Sequence, residues 1–166
     1  MSEVKPIYAR GFFNMNSLGE TNQLVIFYYY DKDEYYASLN KDEVRDEIRR
    51  LKENMQYYLD QEIIKINGKR VRAKVLFARL GLLSIKYPYV EFLIRFKGTL
   101  KKGINEYEDI YEEEIAEYPY EALWVLPGKV TEYKISGEVK VKENVLFLKV
   151  KKGVKVGKIE KIKFII

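Results

Sequence analysis

The chain has no histidine and no cysteine. The first absence removes the one side chain whose ordinary pKa lies between about pH 5 and 8, and with it the commonest general base. The second removes disulfides, thiol nucleophiles and cysteine-bound zinc. No serine stands in a G-x-S-x-G elbow, and neither a P-loop nor a G-x-G-x-x-G turn occurs. Two carboxylates suffice to hydrolyse a glycosidic bond, but no pair stands out from the charged background. The sequence therefore points away from an enzyme, and no resident metal or cofactor is expected.

Other absences bear on location and habitat. No apolar run approaches the roughly 20 residues that span a bilayer. The opening MSEVKPIYARG lacks the apolar stretch of a signal peptide, and no N-x-[ST] acceptor occurs. A cytoplasmic location without a membrane partner is expected. Serine, threonine, asparagine and glutamine are scarce, while charged residues, chiefly lysine and glutamate, make up 33% of the chain. That balance suits proteins that work hot, and a thermophilic archaeon or one of its viruses is the expected source. The 166 residues can bury a sizeable core without a disulfide or structural metal. With no linker or repeat in view, a single domain over 1–166 is expected.

What is present is a succession of short β-compatible runs around one helix. Asn22 to Tyr30 is apolar or aromatic on both alternating faces, as in a strand covered on both sides. Leu39-Asn40-Lys41-Asp42-Glu43-Val44 reads as a helix start, with Asn40 as N-cap, Glu43 completing a capping box and Leu39 stapled to Val44. Val44, Ile48, Leu51, Met55, Tyr58 and Leu59 then recur on one stripe, predicting an amphipathic helix over about 41–60. Asn67-Gly68 between IIKI and KRVRAKVLF signals a type I′ hairpin. Further strands are expected at 89–96, 106–117, 121–126, 131–141, 145–151 and 158–165, with turn residues between them. The fold class is therefore mainly β (α+β by count). The architecture expected is an antiparallel β-sandwich or partly open barrel of about eight or nine strands with one amphipathic helix.

Charge is segregated along this frame. From Ile63 to Val90 there are seven basic residues and no acid, and Arg70, Arg72 and Lys74 alternate with Val71, Ala73 and Val75. A strand there would present its cations on one face, where a nucleic-acid backbone could lie with Tyr87 or Tyr89 stacking on a base. The ordinary alternative is the solvated face of an amphipathic hairpin. Glu106 to Glu121 carries eight acids and no base. Alternation puts Glu106, Glu108, Glu112 and Glu114 on one face, and Tyr107, Asp109, Tyr111, Glu113 and Ile115 on the other. A hard cation would take such oxygens, but the spacing matches no known loop. Pairing with the eleven lysines found from Lys129 onward is the simpler expectation. Lysines on exposed strands also discourage edge-to-edge association.

Fifteen tyrosines and one tryptophan complete the picture. Tyr28 and Tyr58 sit in phase with apolar neighbours and are expected in the core. Tyr87-Pro88-Tyr89 and Tyr118-Pro119-Tyr120 place aromatics around a proline and are candidate protein-contact loops. The favoured function is a non-catalytic binding or structural module that docks a partner protein or a second copy of itself, with Tyr87, Tyr89, Tyr118 and Tyr120 as contact candidates. The alternative is a nucleic-acid-binding protein using the basic hairpin at 65–79, through Lys69, Arg70, Arg72 and Lys74. No RNA-binding signature supports that alternative.

Overall fold

Strands whose side chains alternate between core and solvent make up most of the chain, which the computed structural model describes over residues 4–166. The first sheet is built from β1 (Val4–Met15), β2 (Glu20–Asp31), β5 (Lys74–Ser84), β6 (Tyr87–Lys97), β8 (Tyr120–Val125), β10 (Glu138–Lys142) and β11 (Val145–Val150). Its order is β10-β11-β8-β1-β2-β6-β5. The second sheet is built from β3 (Ile63–Ile66), β4 (Lys69–Val71), β7 (Ile104–Ile115), β9 (Lys129–Lys134) and β12 (Lys155–Ile165), in the order β4-β3-β7-β12-β9. Phe92, Ile94, Trp124 and Leu146 of the first sheet and Ile64, Tyr107, Ile162 and Phe164 of the second are all buried in one shared core. The protein is thus mainly β with a sandwich-like arrangement, as expected, but with twelve strands among the described residues rather than eight or nine.

The extra strands have physical causes. β1 escapes recognition because Lys5, Pro6, Arg10 and Gly11 interrupt its apolar pattern, yet it pairs along its length with β2. Its other neighbour, β8, runs parallel to it, the one departure from antiparallel pairing among the described strands. The expected single strand through Arg70, Arg72 and Lys74 is broken at Arg72-Ala73, where the chain leaves the five-stranded sheet at β4 and enters the seven-stranded sheet at β5. The run 131–141 breaks likewise between β9 and β10, with Gly137 at φ +114, where an added Cβ would meet the Lys149 carbonyl at 2.8 Å. Both breaks are corners at which the chain changes layers, so a local alternating pattern runs straight through them.

The helix α1 (Lys41–Gln61) starts where the capping box puts it: Asn40 Oδ1 accepts from the Glu43 amide at 2.9 Å, and Glu43 accepts from the Asn40 amide at 3.1 Å. Removing such a cap costs about 1 kcal/mol. Ile48, Leu51, Met55 and Leu59 pack on the core, whereas Tyr58 is 65% exposed, contrary to expectation. Tyr28 is also outside the core, on the outer face of the seven-stranded sheet beside Tyr8 and Tyr89. The Asn67-Gly68 turn has φ +52 and +78, the two positive angles of the predicted hairpin. Gln56 Nε2 donates to the Ala73 carbonyl at 3.0 Å and its Oε1 accepts from the Val75 amide at 2.9 Å, so α1 covers the first part of the β5 edge. The five strands of the second sheet leave part of the first uncovered, and α1 fills that place. Among the described residues no helix is long and apolar enough to cross a membrane.

Candidate functional site

Where α1 gives way to β3, the second layer does not close. A cleft of about 650 Å³ runs between α1 and β7, lined by Phe27, Tyr29, Met55, Tyr58, Phe92 and Tyr111 among others. It continues inward as a cavity of about 290 Å³ between the sheets, sharing Phe27, Met55, Glu62 and Tyr111 with the outer part. Trp124 lines the deep part, stacked on Phe13 at 4.3 Å and tilted against Tyr107 at 4.5 Å.

Three carboxyls from separate elements face this cavity: Glu62, which ends α1, Asp109 on β7 and Glu160 on β12. Register explains their meeting, since Asp109 pairs with Glu160 across β7 and β12 and with Ile64 across β3, two residues beyond Glu62. Tyr111 donates from its hydroxyl to Glu160 Oε1 at 2.9 Å. Asp109 Oδ1 is buried with no donor directed at it, and its carboxyl lies against that of Glu62. Two carboxylates make that contact only when a proton sits between them.

The electrostatics follow from burial without a cation. Desolvation, then the neighbouring Glu62 and Glu160, pushes the Asp109 carboxyl well above the ordinary aspartate range. Desolvation also raises Glu62, outweighing its bond to Asp109, and raises Glu160 despite the hydrogen bond from Tyr111. The phenols of Tyr107, Tyr111 and Tyr120 are raised by burial and by these acids. No lysine or arginine lines either part of the cleft, although the chain holds 30 of them. Among the described residues no three acidic side chains are placed to hold one metal ion. The site is an aromatic chamber whose three carboxyls have no basic side chain among the residues lining it, so burial favours their protonated forms.

The predicted site residues divide. Tyr120 lines the cavity and Tyr118 the cleft, both half-buried, so the second Tyr-Pro-Tyr segment is a wall rather than a protruding loop. The first is not a loop either: Tyr87 and Tyr89 lie in β6 on its outer face, with Pro88 buried between them. Tyr87 is 43% exposed beside Tyr30, while Tyr89 lies over Gly81, where an added Cβ would meet its ring at 2.3 Å. Lys69 and Arg70 are on β4, Arg72 at the corner and Lys74 on β5. Arg72 pairs with Asp60 at 3.2 Å and Arg70 reaches the Glu62 carbonyl at 3.4 Å. Lys140, Lys142 and Lys149 belong to the opposite side of the seven-stranded sheet, on β10 and β11. The two basic groups therefore form no continuous face. Glu62, Asp109 and Glu160 were not among the residues singled out; the available signal was the odd-numbered face of β7, where Asp109 alternates with Tyr107 and Tyr111.

Comparisons with known proteins add little here. No protein-family model matches the chain, and no curated protein does. Among solved structures, it is similar to the folded domain of LppM from Mycobacterium tuberculosis, at 8% identity and a TM-score of 0.49 over 100% of this chain and 94% of that one. It is also similar to part of an M1 zinc metallopeptidase from Deinococcus radiodurans, at 10% identity and a TM-score of 0.39, covering 98% of this chain and 42% of that one. No functional reading is drawn from likenesses this distant.

Proposed function

We propose that this is a non-catalytic binding module whose cleft takes a small organic cation with an apolar body, an alkylamine or arylamine. The observation that carries this reading is the lining: three carboxyls converge from α1, β7 and β12 on an aromatic cavity with no basic side chain of its own. An ammonium group entering there gives the buried acids the counter-charge they lack, while Phe27, Trp124 and the tyrosines hold the apolar part. Binding would let the shared proton leave, so it releases protons and strengthens as pH rises toward the amine's own pKa. A thermophilic origin fits the same reading, since the dense lysine-glutamate pairing outside the cleft is the form of electrostatic stabilisation that gains with temperature.

Trp124 is the single tryptophan and lies in the cavity wall, which makes its fluorescence a direct reporter. Titration with hexylamine or phenethylamine is expected to give a saturable change, and hexanoate none. Asp109→Asn together with Glu62→Gln is expected to weaken amine binding by about tenfold or more, the size of a lost charge-assisted hydrogen bond. Equal response to amine and carboxylate, or no saturation with either amine, would sink the proposal.

A further inference from the structure

The four sheet edges are not guarded alike. β10 carries Lys140 and Lys142, β9 carries Lys129 and Lys134, and β4 carries Lys69 and Arg70. Charged edges of this kind repel a second strand. β5 is different. Helix α1 covers its start through Gln56 and Lys52, but no strand pairs with its outer side among the described residues, and from Leu80 to Ile85 it holds no charge at all. At 11 residues it is also the longest edge strand.

Exposure concentrates at the same place. Leu76 is 36% exposed, Phe77 50%, Leu82 45%, Leu83 66%, Ile85 57% and Tyr87 43%. At roughly 200 Å² for a large apolar side chain, Leu82, Leu83, Ile85 and Tyr87 on the free half and the hairpin leave about 400 Å² of apolar surface, half of the ~800 Å² that each partner gives to a stable interface. Leu76 and Phe77 stand at its margin, beside the part that α1 covers. Register adds a second feature: Phe147, Leu123, Phe12, Leu24, Leu93 and Phe77 form one row across the outer face of the seven-stranded sheet, ending at β5.

We infer that a second copy of this chain covers the free half of β5 and the β5–β6 hairpin tip, pairing edge to edge about a twofold axis. Four points lead there. An antiparallel strand edge is complementary to its own copy. From Leu80 to Ile85 no lysine stands on the strand, so two chains of net charge +5 can pair there with Lys86 lying beyond the paired stretch, in the turn. Arg79, the charge just before it, is already held by Glu91 at 2.6 Å. Finally, the outer apolar row ends at Phe77, next to the free stretch, and adds apolar surface beside the paired edge. The inference is independent of what the cleft binds.

The test is sedimentation of the full chain from low to high micromolar concentration. A dimer is expected, weakened about tenfold or more by Leu83→Lys and by Ile85→Glu, a loss of hot-spot size. Both positions are exposed, and circular dichroism checks that the variants fold. Because the chain has no cysteine, Leu83→Cys carrying a spin label gives one inter-protomer distance, expected to be short; the same label at Lys140→Cys is expected to give a long one. A monomer at every concentration overturns the inference, as does a dimer indifferent to both charged variants or one with the labelled Lys140→Cys sites close together.

Discussion

Strand β7 carries acids on both faces, and the two faces treat them in opposite ways. On the outer face Glu106 and Glu108 stand opposite Lys163 and Lys161 of β12, with ion pairs at 3.8 and 3.5 Å, and Lys163 also reaches Glu132 at 3.1 Å. Near the end of the strand, despite some desolvation, Lys155 and Lys158 hold the Glu113 carboxyl below its ordinary pKa. On the inner face Asp109 meets Glu160 and Glu62 and no cation, and burial drives it the other way. Residue type does not separate these acids; what faces them does. The outer acids are compensated by lysines of β12, and the inner ones are left without a cation and held toward their protonated forms.

The contrast can be broken most strongly at Asp109. Its folded pKa lies above its unfolded one, so its contribution to stability is present at acid pH and is lost as pH rises from about 4, the ordinary aspartate value, through the raised folded value. Glu62 and Glu160 shift in the same direction. Asp109→Asn cannot ionise, so thermal unfolding should show the variant gaining on the parent chain as pH rises from about 4 toward about 9, by about 1.4 kcal/mol for each pK unit by which folding raises the Asp109 carboxyl. A constant difference from acid to alkaline pH would mean that Asp109 titrates normally.

A smaller effect is expected from Tyr111→Phe, which strips Glu160 of its 2.9 Å donor while leaving the ring in place. A loss of about 1–2 kcal/mol in chemical denaturation follows from an under-satisfied buried carboxyl, and the loss should grow with pH as Glu160 charges. No loss at any pH would place that hydroxyl's bond in water. Smallest of all, Lys161→Ala on the outer face should cost about 0.2–1 kcal/mol, and the cost should shrink in high salt, as for other exposed pairs. If the outer-face variant proved costlier than Tyr111→Phe, the contrast between the faces would be reversed.

Much of this was legible in the residues, and the part that was not is instructive. The capping box at Asn40 and Glu43 and the Asn67-Gly68 turn are local, so their side chains and φ angles speak for themselves. The alternation of 106–115 separated Asp109, Tyr107 and Tyr111 from Glu106 and Glu108, but it failed past Tyr111. A bulge at Val156–Lys158 shifts the register there, so Glu112 and Glu114 line the cleft and Glu113, expected beside Asp109, faces Lys155 and Lys158 instead. Which face turned inward was another matter, because it depends on β12 arriving with Lys161 and Lys163 toward solvent and Glu160 toward the core. Glu62 and Glu160 lie far from Asp109 in sequence, and only strand register and the exit of α1 bring the three together. The corners at Arg72-Ala73 and Gly137 were hidden for the same reason: a change of sheet is a demand of the whole fold, and nothing in the local alternation records it.

The most direct test follows the side-chain carboxyl carbons of Asp109 and Glu113 by NMR from acid to alkaline pH, with and without hexylamine. The account has Glu113 titrating below the ordinary glutamate value, Asp109 staying protonated well above the usual aspartate range, and Asp109 alone moving downward when the amine is added. Asp109 titrating in the ordinary acid range alongside the surface carboxylates, unmoved by the amine, would contradict it.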